Sequence, residues 1–400
     1  MKKTLFVSFD GLADPLGQSQ IVPYINYISK LNHKMYVLSV EKKNRLQTYN
    51  NIVDNNLKNK NIIFKNLLFS KNKNKLSRVI DTIKLFFQSL YIIKKYNIDI
   101  IHIRGFIPAI PILVLRYFIK FRIIYDSRGL WVDERVDNGS INLQKFSHIA
   151  IYKILKKLEN KIFIKSDKVI VLTRKAKRII KTIDKSIDPV VIPCCADYDH
   201  FKFLNIEKSK IKKKFDIPAN KKIILYSGSL RGVYLFKEML NFFEKINSIS
   251  NDFIFLIVTN DLIYANNILA NLNKNNIILI NDTRENMPKY YYVSDILLCF
   301  INASFARQCS SPTKIAEALA CNIPLICNKG VGDIDLIVKK LNAGLSIDLL
   351  NIKYNKKLLN KILNLIDNNN TNRLRNESQK YFDLEFAYKN YKLTYSNMLK

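Results

Sequence analysis

Short apolar runs rich in β-branched and aromatic residues alternate with longer amphipathic stretches from the start of the chain. Thr4–Phe9 is followed by a Gly-containing loop, then the helical pattern Gln18–Leu31, then Met35–Val40. Such alternation specifies parallel βαβ units. Further buried strands are predicted at Ile62–Leu67, Asp99–Ile103, Arg122–Tyr125, Lys168–Leu172 and Pro189–Ile192, with helices at Leu76–Tyr96 and Phe146–Ile164. The segment Val191–Asp197 ends the pattern. After the Lys-rich stretch Glu207–Lys214 it restarts, with strands predicted at Lys222–Tyr226, Phe253–Val258, Asn276–Ile280, Ile296–Phe300, Pro324–Cys327 and Gly344–Ile347. The tail Phe382–Leu399 carries apolar residues at helical spacing, with Phe386, Tyr391, Leu393 and Tyr395 as its expected contacts, and predicts a closing helix. The expected architecture is α/β: two Rossmann-like doubly wound domains, 1–197 and 198–381, facing a central cleft, then a C-terminal helix, 382–400. The halves share no sequence period, which argues against a repeat array. The Asn/Lys patches Ser70–Lys75 and Asp367–Asn372 read as solvated loops.

Length and composition agree with two domains, because 400 residues exceed one ordinary core and 48% hydrophobic content is ample for burial. Charge adds something the pattern does not show. Lys and Arg number 65 against 33 Asp and Glu, a net +32, which favours polyanionic partners such as anionic lipid, nucleic acid or a diphosphate. The Lys, Asn and Ile excess is also what an AT-rich coding sequence produces. The six cysteines form no C-x-x-C pair and have no histidine cluster beside them, so a reducing compartment and no metal site are expected. The apolar run Leu5–Phe9 is too short for a secretory signal, and the most apolar segment, Ile107–Phe118, is interrupted by Pro108, Pro111 and Arg116. A cytoplasmic protein that touches the inner face of the plasma membrane peripherally is the consistent expectation.

In open α/β sheets ligands bind beyond the carboxyl ends of the strands, so the residues just after each strand carry most weight. The first such segment, Asp10–Gln20, places Gly17 and Gln18 at a helix start, where close backbone approach and unpaired N–H groups suit a phosphate. A tight turn followed by a polar cap explains the same residues. It is not G-x-G-x-x-G, which argues against a nicotinamide site. His102 lies within the next relevant strand and reads as packed, whereas Arg104 at its mouth offers a planar donor fork for phosphate or carboxylate. The following strand leads into Asp126, Arg128, Trp131, Asp133, Glu134 and Arg135. A glycosyl transition state needs carboxylates near the cationic sugar and cations near the departing diphosphate, and Asp126 with Arg128 supplies both types. An ion pair holding the loop, with Trp131 as core, is the alternative.

In the second half, Tyr226-Ser-Gly-Ser-Leu-Arg-Gly232 follows a strand with small residues and a cation, so the amides of Gly228 and Ser229 and the charge of Arg231 are candidate phosphate contacts. Cys309–Ala320 sets Ser310, Ser311, Pro312 and Thr313 at a helix N-terminus, with Lys314 in its first turn and Glu317 one turn on. Free N–H groups and Lys314 would bind a diphosphate there, and Glu317 would accept from ribose hydroxyls. A plain capping motif accounts for Ser311 and Pro312 but leaves Lys314 unused. The loop Asn328–Asp333 follows the next strand.

Together Asp10–Gln20, Tyr125–Arg135 and Ser310–Ala320, the last followed by Cys321-Asn-Ile-Pro-Leu-Ile326, resemble glycosyltransferase family 4, the retaining GT-B enzymes of bacterial polysaccharide assembly. The resemblance implies an acceptor-side first domain, a donor-nucleotide second domain and a final helix returning to the first. It also implies a donor base near Thr283–Met287, ribose on Glu317, a diphosphate among Arg231, Lys314 and Gly17, and metal-independent retention. No cofactor follows beyond the nucleotide diphosphate sugar as substrate, with UDP the default and GDP the other choice. The sequence departs from the family twice. Cys309 stands where many relatives carry a glutamate eight positions before Glu317, and Asp126-Ser-Arg128 stands where relatives often carry a histidine.

The expectation is therefore a hexosyl- or acetamidohexosyl-transferase acting on a cell-surface or lipid-linked glycan, of the kind that builds capsule or lipopolysaccharide. Asp126 and Arg128 are the catalytic candidates, and Arg104 and Trp131 the acceptor-side ones. Expected partners are the nucleotide sugar, the glycan acceptor and an anionic membrane surface approached by Lys71–Lys95 and Phe118–Arg122. A sugar-nucleotide 2-epimerase has the same architecture and would act without an acceptor. A basic scaffold or nucleic-acid binder would account for the charge. No RNP-like aromatic strand, zinc spacing or helix-turn-helix supports specific nucleic-acid recognition.

Overall fold

Among the described residues thirteen strands, all in parallel pairs, form two sheets. In the computed structural model, residues 2–31, 33–56, 59–70, 75–202, 207–270, 276–369 and 371–398 are described. The first sheet comprises β1 (Lys2–Ser8), β2 (His33–Glu41), β3 (Ile62–Leu68), β4 (Ile100–Arg104), β5 (Arg122–Asp126), β6 (Lys168–Val171) and β7 (Val190–Val191), in the order β3-β2-β1-β4-β5-β6-β7. The second comprises β8 (Lys222–Ser227), β9 (Phe253–Val258), β10 (Ile277–Ile280), β11 (Ile296–Cys299), β12 (Leu325–Asn328) and β13 (Gly344–Ile347), in the order β10-β9-β8-β11-β12-β13. Each sheet thus reverses its strand order once, between β1 and β4 and between β8 and β11. These are the switch points where open α/β sheets take ligands.

The strands are apolar on both sides because helices cover both sheet faces. In the second sheet Ile223 and Leu225 join one core while Ile224 and Tyr226 join the other. The period-two alternation along β8 therefore separates two apolar layers. The chain divides into two compact units, Met1–Pro193 with Ala387–Lys400, and Cys194–Phe386. Within the first unit the terminal helix, Leu384–Asn397, is held through Tyr391 and Tyr395, both buried, and through Tyr388 stacked on Tyr27 at 4.0 Å. Leu393, expected as a contact of that helix, instead points to solvent, and Phe386 is half-buried.

The helix expected over Gln18–Leu31 is two helices, Pro15–Gln20 and Val22–Ile28, broken at Ile21. Pro23 supplies no N–H and starts the second helix, which is where its fixed φ is tolerated. The expected patch Ser70–Lys75 falls largely outside the described residues, Lys71 and Lys73 included, as do Asn370 and Leu399. Among the described residues no helix is long and apolar enough to cross a membrane. Ile107–Phe118 becomes instead the helix Phe106–Leu115 and the turn after it.

Candidate active site

The carboxyl ends of β4 and β5 build a buried polar cluster in the first unit. Parallel register places Arg104 directly beside Asp126, and His102, two residues earlier on β4, shares their face. Arg104 Nη1 donates to Asp126 Oδ2 at 3.0 Å and Arg128 Nη1 donates to Oδ1 at 3.3 Å. His102 Nδ1 and the Tyr395 hydroxyl are 2.8 Å apart, while His102 Nε2 lies 3.9 Å from Asp126 Oδ2, beyond hydrogen-bond reach. Burial alone would raise the Asp126 pKa, but the charges of Arg128 and Arg104 and the adjacent His102 outweigh it and hold the carboxyl well below its ordinary value. Burial lowers the His102 pKa, which keeps the imidazole neutral.

The geometry makes Asp126 the counter-charge of Arg104 and Arg128. A fully buried carboxylate clamped by two guanidinium groups has no proton affinity to spare for a base. Its effect is to orient Arg104 and Arg128. Arg104 is 1% exposed, and its Nε and Nη2 have no hydrogen-bond partner among the described residues. Trp131, expected on the acceptor side, is half-buried, stacks on Phe106 at 4.6 Å and has the Arg135 guanidinium 4.5 Å from its ring.

Gly17 is accounted for by packing. A Cβ there would stand 2.1 Å from Gly11 O and 2.7 Å from Leu12 O, so only glycine lets the loop fold onto the helix. Glu41 fastens the same loop, accepting from Leu12 N at 2.7 Å and Ala13 N at 3.3 Å. Gln18 donates to Ala13 O at 3.1 Å. The turn-and-cap alternative therefore explains the glycine and the glutamine without a ligand.

The second unit gathers its chemistry at the switch point between β8 and β11. Helix Thr313–Ala320 follows β11, with Pro312 as its N-cap and no side-chain cap. Ser310 accepts from Arg307 Nη1 at 3.2 Å, and Ser311 accepts from Cys194 N at 3.2 Å. These two hydroxyls tie loops together rather than cap the helix. Lys314 is buried. Its Nζ donates to the Tyr226 hydroxyl at 3.0 Å and lies 4.1 Å and 3.7 Å from the Tyr226 and Tyr234 ring centroids. Among the described residues no carboxylate forms an ion pair with it. Burial pulls the Lys314 pKa down, and ionised Tyr226 or Tyr234 would push it above its ordinary value. Burial also raises the pKa of Tyr226 and of Cys299, so at neutral pH the ammonium faces a neutral phenol and a neutral thiol.

Gly228 has φ of 107°, and a Cβ there would come 3.2 Å from Lys314 Nζ. Its amide is not a phosphate donor, because it extends the sheet by donating to Val258 O at 2.9 Å. The Ser229 hydroxyl is likewise engaged, donating to Asp261 Oδ2 at 2.7 Å. Asp261 also accepts from Leu230 N at 2.9 Å and lies 3.6 Å from Arg231 Nε. Arg231 itself is exposed, its guanidinium 5.0 Å from the Tyr264 ring.

Glu317 lies one turn beyond Lys314 and is 8% exposed. It accepts from Arg284 Nη1 at 3.2 Å and from the Tyr291 hydroxyl at 2.9 Å. Sequence reasoning missed Arg284, Tyr291, Tyr226 and Tyr234 as site residues. Their only sequence signal was proximity to strand ends and to Thr283–Met287. Cys309, at the departure from the family pattern, is buried. Asn328 joins strand ends, its side chain bonding both Ile301 N and Ile301 O at 2.8 Å. Among the described residues no group of three or more His, Cys, Asp or Glu side chains is arranged to hold a metal ion.

The architecture, two Rossmann-like domains with parallel sheets, is the GT-B fold. Residues 207–381 match the family model for glycosyl transferases group 1. A glycosyltransferase from Rickettsia africae has a similar structure, with a TM-score of 0.71 and 21% identity over 100% of this chain and 99% of its own. So does HepE from Anabaena in complex with UDP and glucose, at 0.71 and 11% over 99% and 100%. The UDP-GlcNAc 2-epimerase of Neisseria meningitidis bound to UDP-GlcNAc aligns at 0.59 and 13% over 100% and 99%. At these identities the likeness is one of fold. No curated protein matches the chain.

Proposed function

We propose that this protein is a glycosyltransferase that moves a hexose or acetamidohexose, with retention, from a nucleotide diphosphate sugar to a glycan or lipid-linked glycan. The observation that carries the reading is Lys314: a buried ammonium over two tyrosines, without a carboxylate partner among the described residues, at a switch point and one turn from Glu317. A donor diphosphate would supply the missing counter-charge. The group 1 match over 207–381 covers these residues.

In this reading Glu317, steadied by Arg284 and Tyr291, accepts hydrogen bonds from the ribose, and the base lies near Thr283–Met287. The bond from the anomeric carbon to the diphosphate oxygen breaks with its electron pair going to the diphosphate, the acceptor hydroxyl oxygen bonds that carbon from the same face, and the hydroxyl proton passes to the departing diphosphate. Lys314 and the exposed Arg231 neutralise the charge that develops there. Uridine is favoured as the nucleoside because the fold's neighbours include HepE with UDP. In the first unit Arg104 and Arg128, aligned by Asp126, are the cations offered to substrate.

The test is incubation with labelled UDP-hexose, UDP-acetamidohexose and GDP-hexose, with and without a cell-envelope extract as acceptor. The proposal expects nucleotide release coupled to label entering the glycan or lipid fraction, only when acceptor is present, and loss of both in Glu317→Ala. Formation of the 2-epimer without acceptor would establish the epimerase reading instead. No turnover of any donor would refute transfer.

A further inference from the structure

Helix Lys75–Tyr96 carries apolar side chains on its solvent face as well as on its packed face, unlike an ordinary amphipathic surface helix. Its buried stripe combines Leu85, Ile92 and Ile93 with Ser77, Asp81 and Ser89, whereas Val79, Ile83 and Phe87, spaced four residues apart, are exposed, Phe87 by 62%. Helix Phe106–Leu115 packs against it and against helix Phe146–Lys165. All three follow from crossovers that run in one direction, β3 to β4 to β5 to β6, so right-handed connections put them on the same sheet face. The apolar exposure continues across this layer at Phe118, 80% exposed, Ile154, 68%, and Phe146, 88%. Lys161 lies 5.5 Å from the ring of Tyr117, joining the turn after the middle helix to the third helix.

The exposed charges on these three helices are of one sign; the acid that meets the turn after the middle helix, Asp167, is paired with Arg116 at 2.7 Å. The outer helices contain one acidic residue each, Asp81 and Glu159, and both are buried. No acidic residue occurs between Phe106 and Arg122. Lys84, Lys153, Lys157 and Lys161 are all exposed beside the apolar side chains.

We propose that this three-helix face docks on an anionic lipid bilayer, the apolar side chains entering the headgroup boundary and the lysines meeting lipid phosphates. Exposed aromatic and branched aliphatic side chains among lysines, with no exposed acid on the three helices, match that partner on both counts. A second copy of the chain fits poorly, because a two-fold contact would set lysines against lysines. Nucleic acid would meet the charge but not the aliphatic groups.

The experiment is flotation with vesicles of phosphatidylcholine alone and of equal parts phosphatidylcholine and phosphatidylglycerol. The wild type is expected to float with the anionic vesicles. The combined Phe87→Ser, Phe118→Ser and Ile154→Ser variant should partition at least about tenfold more weakly. Lys153→Gln with Lys157→Gln should weaken anionic binding by about 30-fold, roughly fivefold for each charge lost. Phe118→Trp, which any fold of this chain tolerates at so exposed a site, should be quenched by brominated lipid. Absence of flotation, flotation unaffected by the apolar substitutions, no quenching, or a wild-type dimer that those substitutions dissociate would each overturn the proposal. UDP titration of the same variants keeps the outcome separate from the donor-site reading, since none of these residues belongs to the second unit.

Discussion

Replacing Lys314 by methionine separates a ligand-binding cation from a structural one. The ammonium is buried, and no carboxylate among the described residues pairs with it. Taking one ion out of water costs several kcal/mol after relaxation. The opposing terms are two cation–π contacts, at 4.1 Å and 3.7 Å, and one hydrogen bond to Tyr226. These are worth about 1–2 kcal/mol per aromatic contact and about 1.5–3 kcal/mol for the charged hydrogen bond. The two sides nearly balance. Methionine fills the same volume, and the Tyr226 hydroxyl still donates to Ser229 O, so no phenol is orphaned. Lys314→Met is therefore expected to leave stability unchanged or raise it by up to about 2 kcal/mol in urea unfolding. UDP affinity should fall by about 10-fold to 150-fold in isothermal titration, the equivalent of one charge-assisted bond. A variant destabilised by more than about 2 kcal/mol that binds UDP as the wild type does would refute the reasoning and make Lys314 a structural cation.

Asp126→Asn strips the counter-charge from Arg104 and Arg128, so a stability loss of about 3–5 kcal/mol is expected in urea unfolding; a well-folded variant that lost only turnover would instead give Asp126 a direct part in the chemistry. Gly17→Ala forces a Cβ against the Gly11 and Leu12 carbonyls and should cost about 1–3 kcal/mol by thermal unfolding, with UDP affinity retained. The buried imidazoles of His102 and His33 have folded pKa values lowered below 6.5, burial being the chief cause. Below that value the unfolded chain binds more protons, so stability falls as pH drops from about 6.5, by up to about 1.4 kcal/mol per pH unit for each imidazole. His102→Gln should flatten that slope, and imidazole NMR signals that titrate at their ordinary value in the folded protein would contradict it.

The strands were legible because a parallel sheet covered on both faces demands apolar runs, and Phe253–Val258 and Gly344–Ile347 need no adjustment at all. The helix broken at Ile21 was hidden because apolar periodicity runs through Pro23 unaltered. Arg104 and Asp126 could be named from their strand ends, but their contact depends on β4 and β5 being neighbours in register, which no local pattern reports. Lys314 and Glu317 were visible as a helix-start motif. Their partners Tyr226, Tyr234, Tyr291 and Arg284 come from other elements and looked like ordinary core or loop residues. Gly17 and Gly228 show the limit most clearly. A glycine after a strand suggests phosphate, yet one answers a carbonyl contact and the other makes room for a lysine.

The most direct measurement is hydrogen–deuterium exchange of the full chain with and without UDP, read peptide by peptide. The account predicts protection confined to the segments holding Gly228–Gly232, Arg284 and Thr313–Glu317. Binding without protection there, or protection elsewhere only, would contradict the assignment of the nucleotide to the second unit.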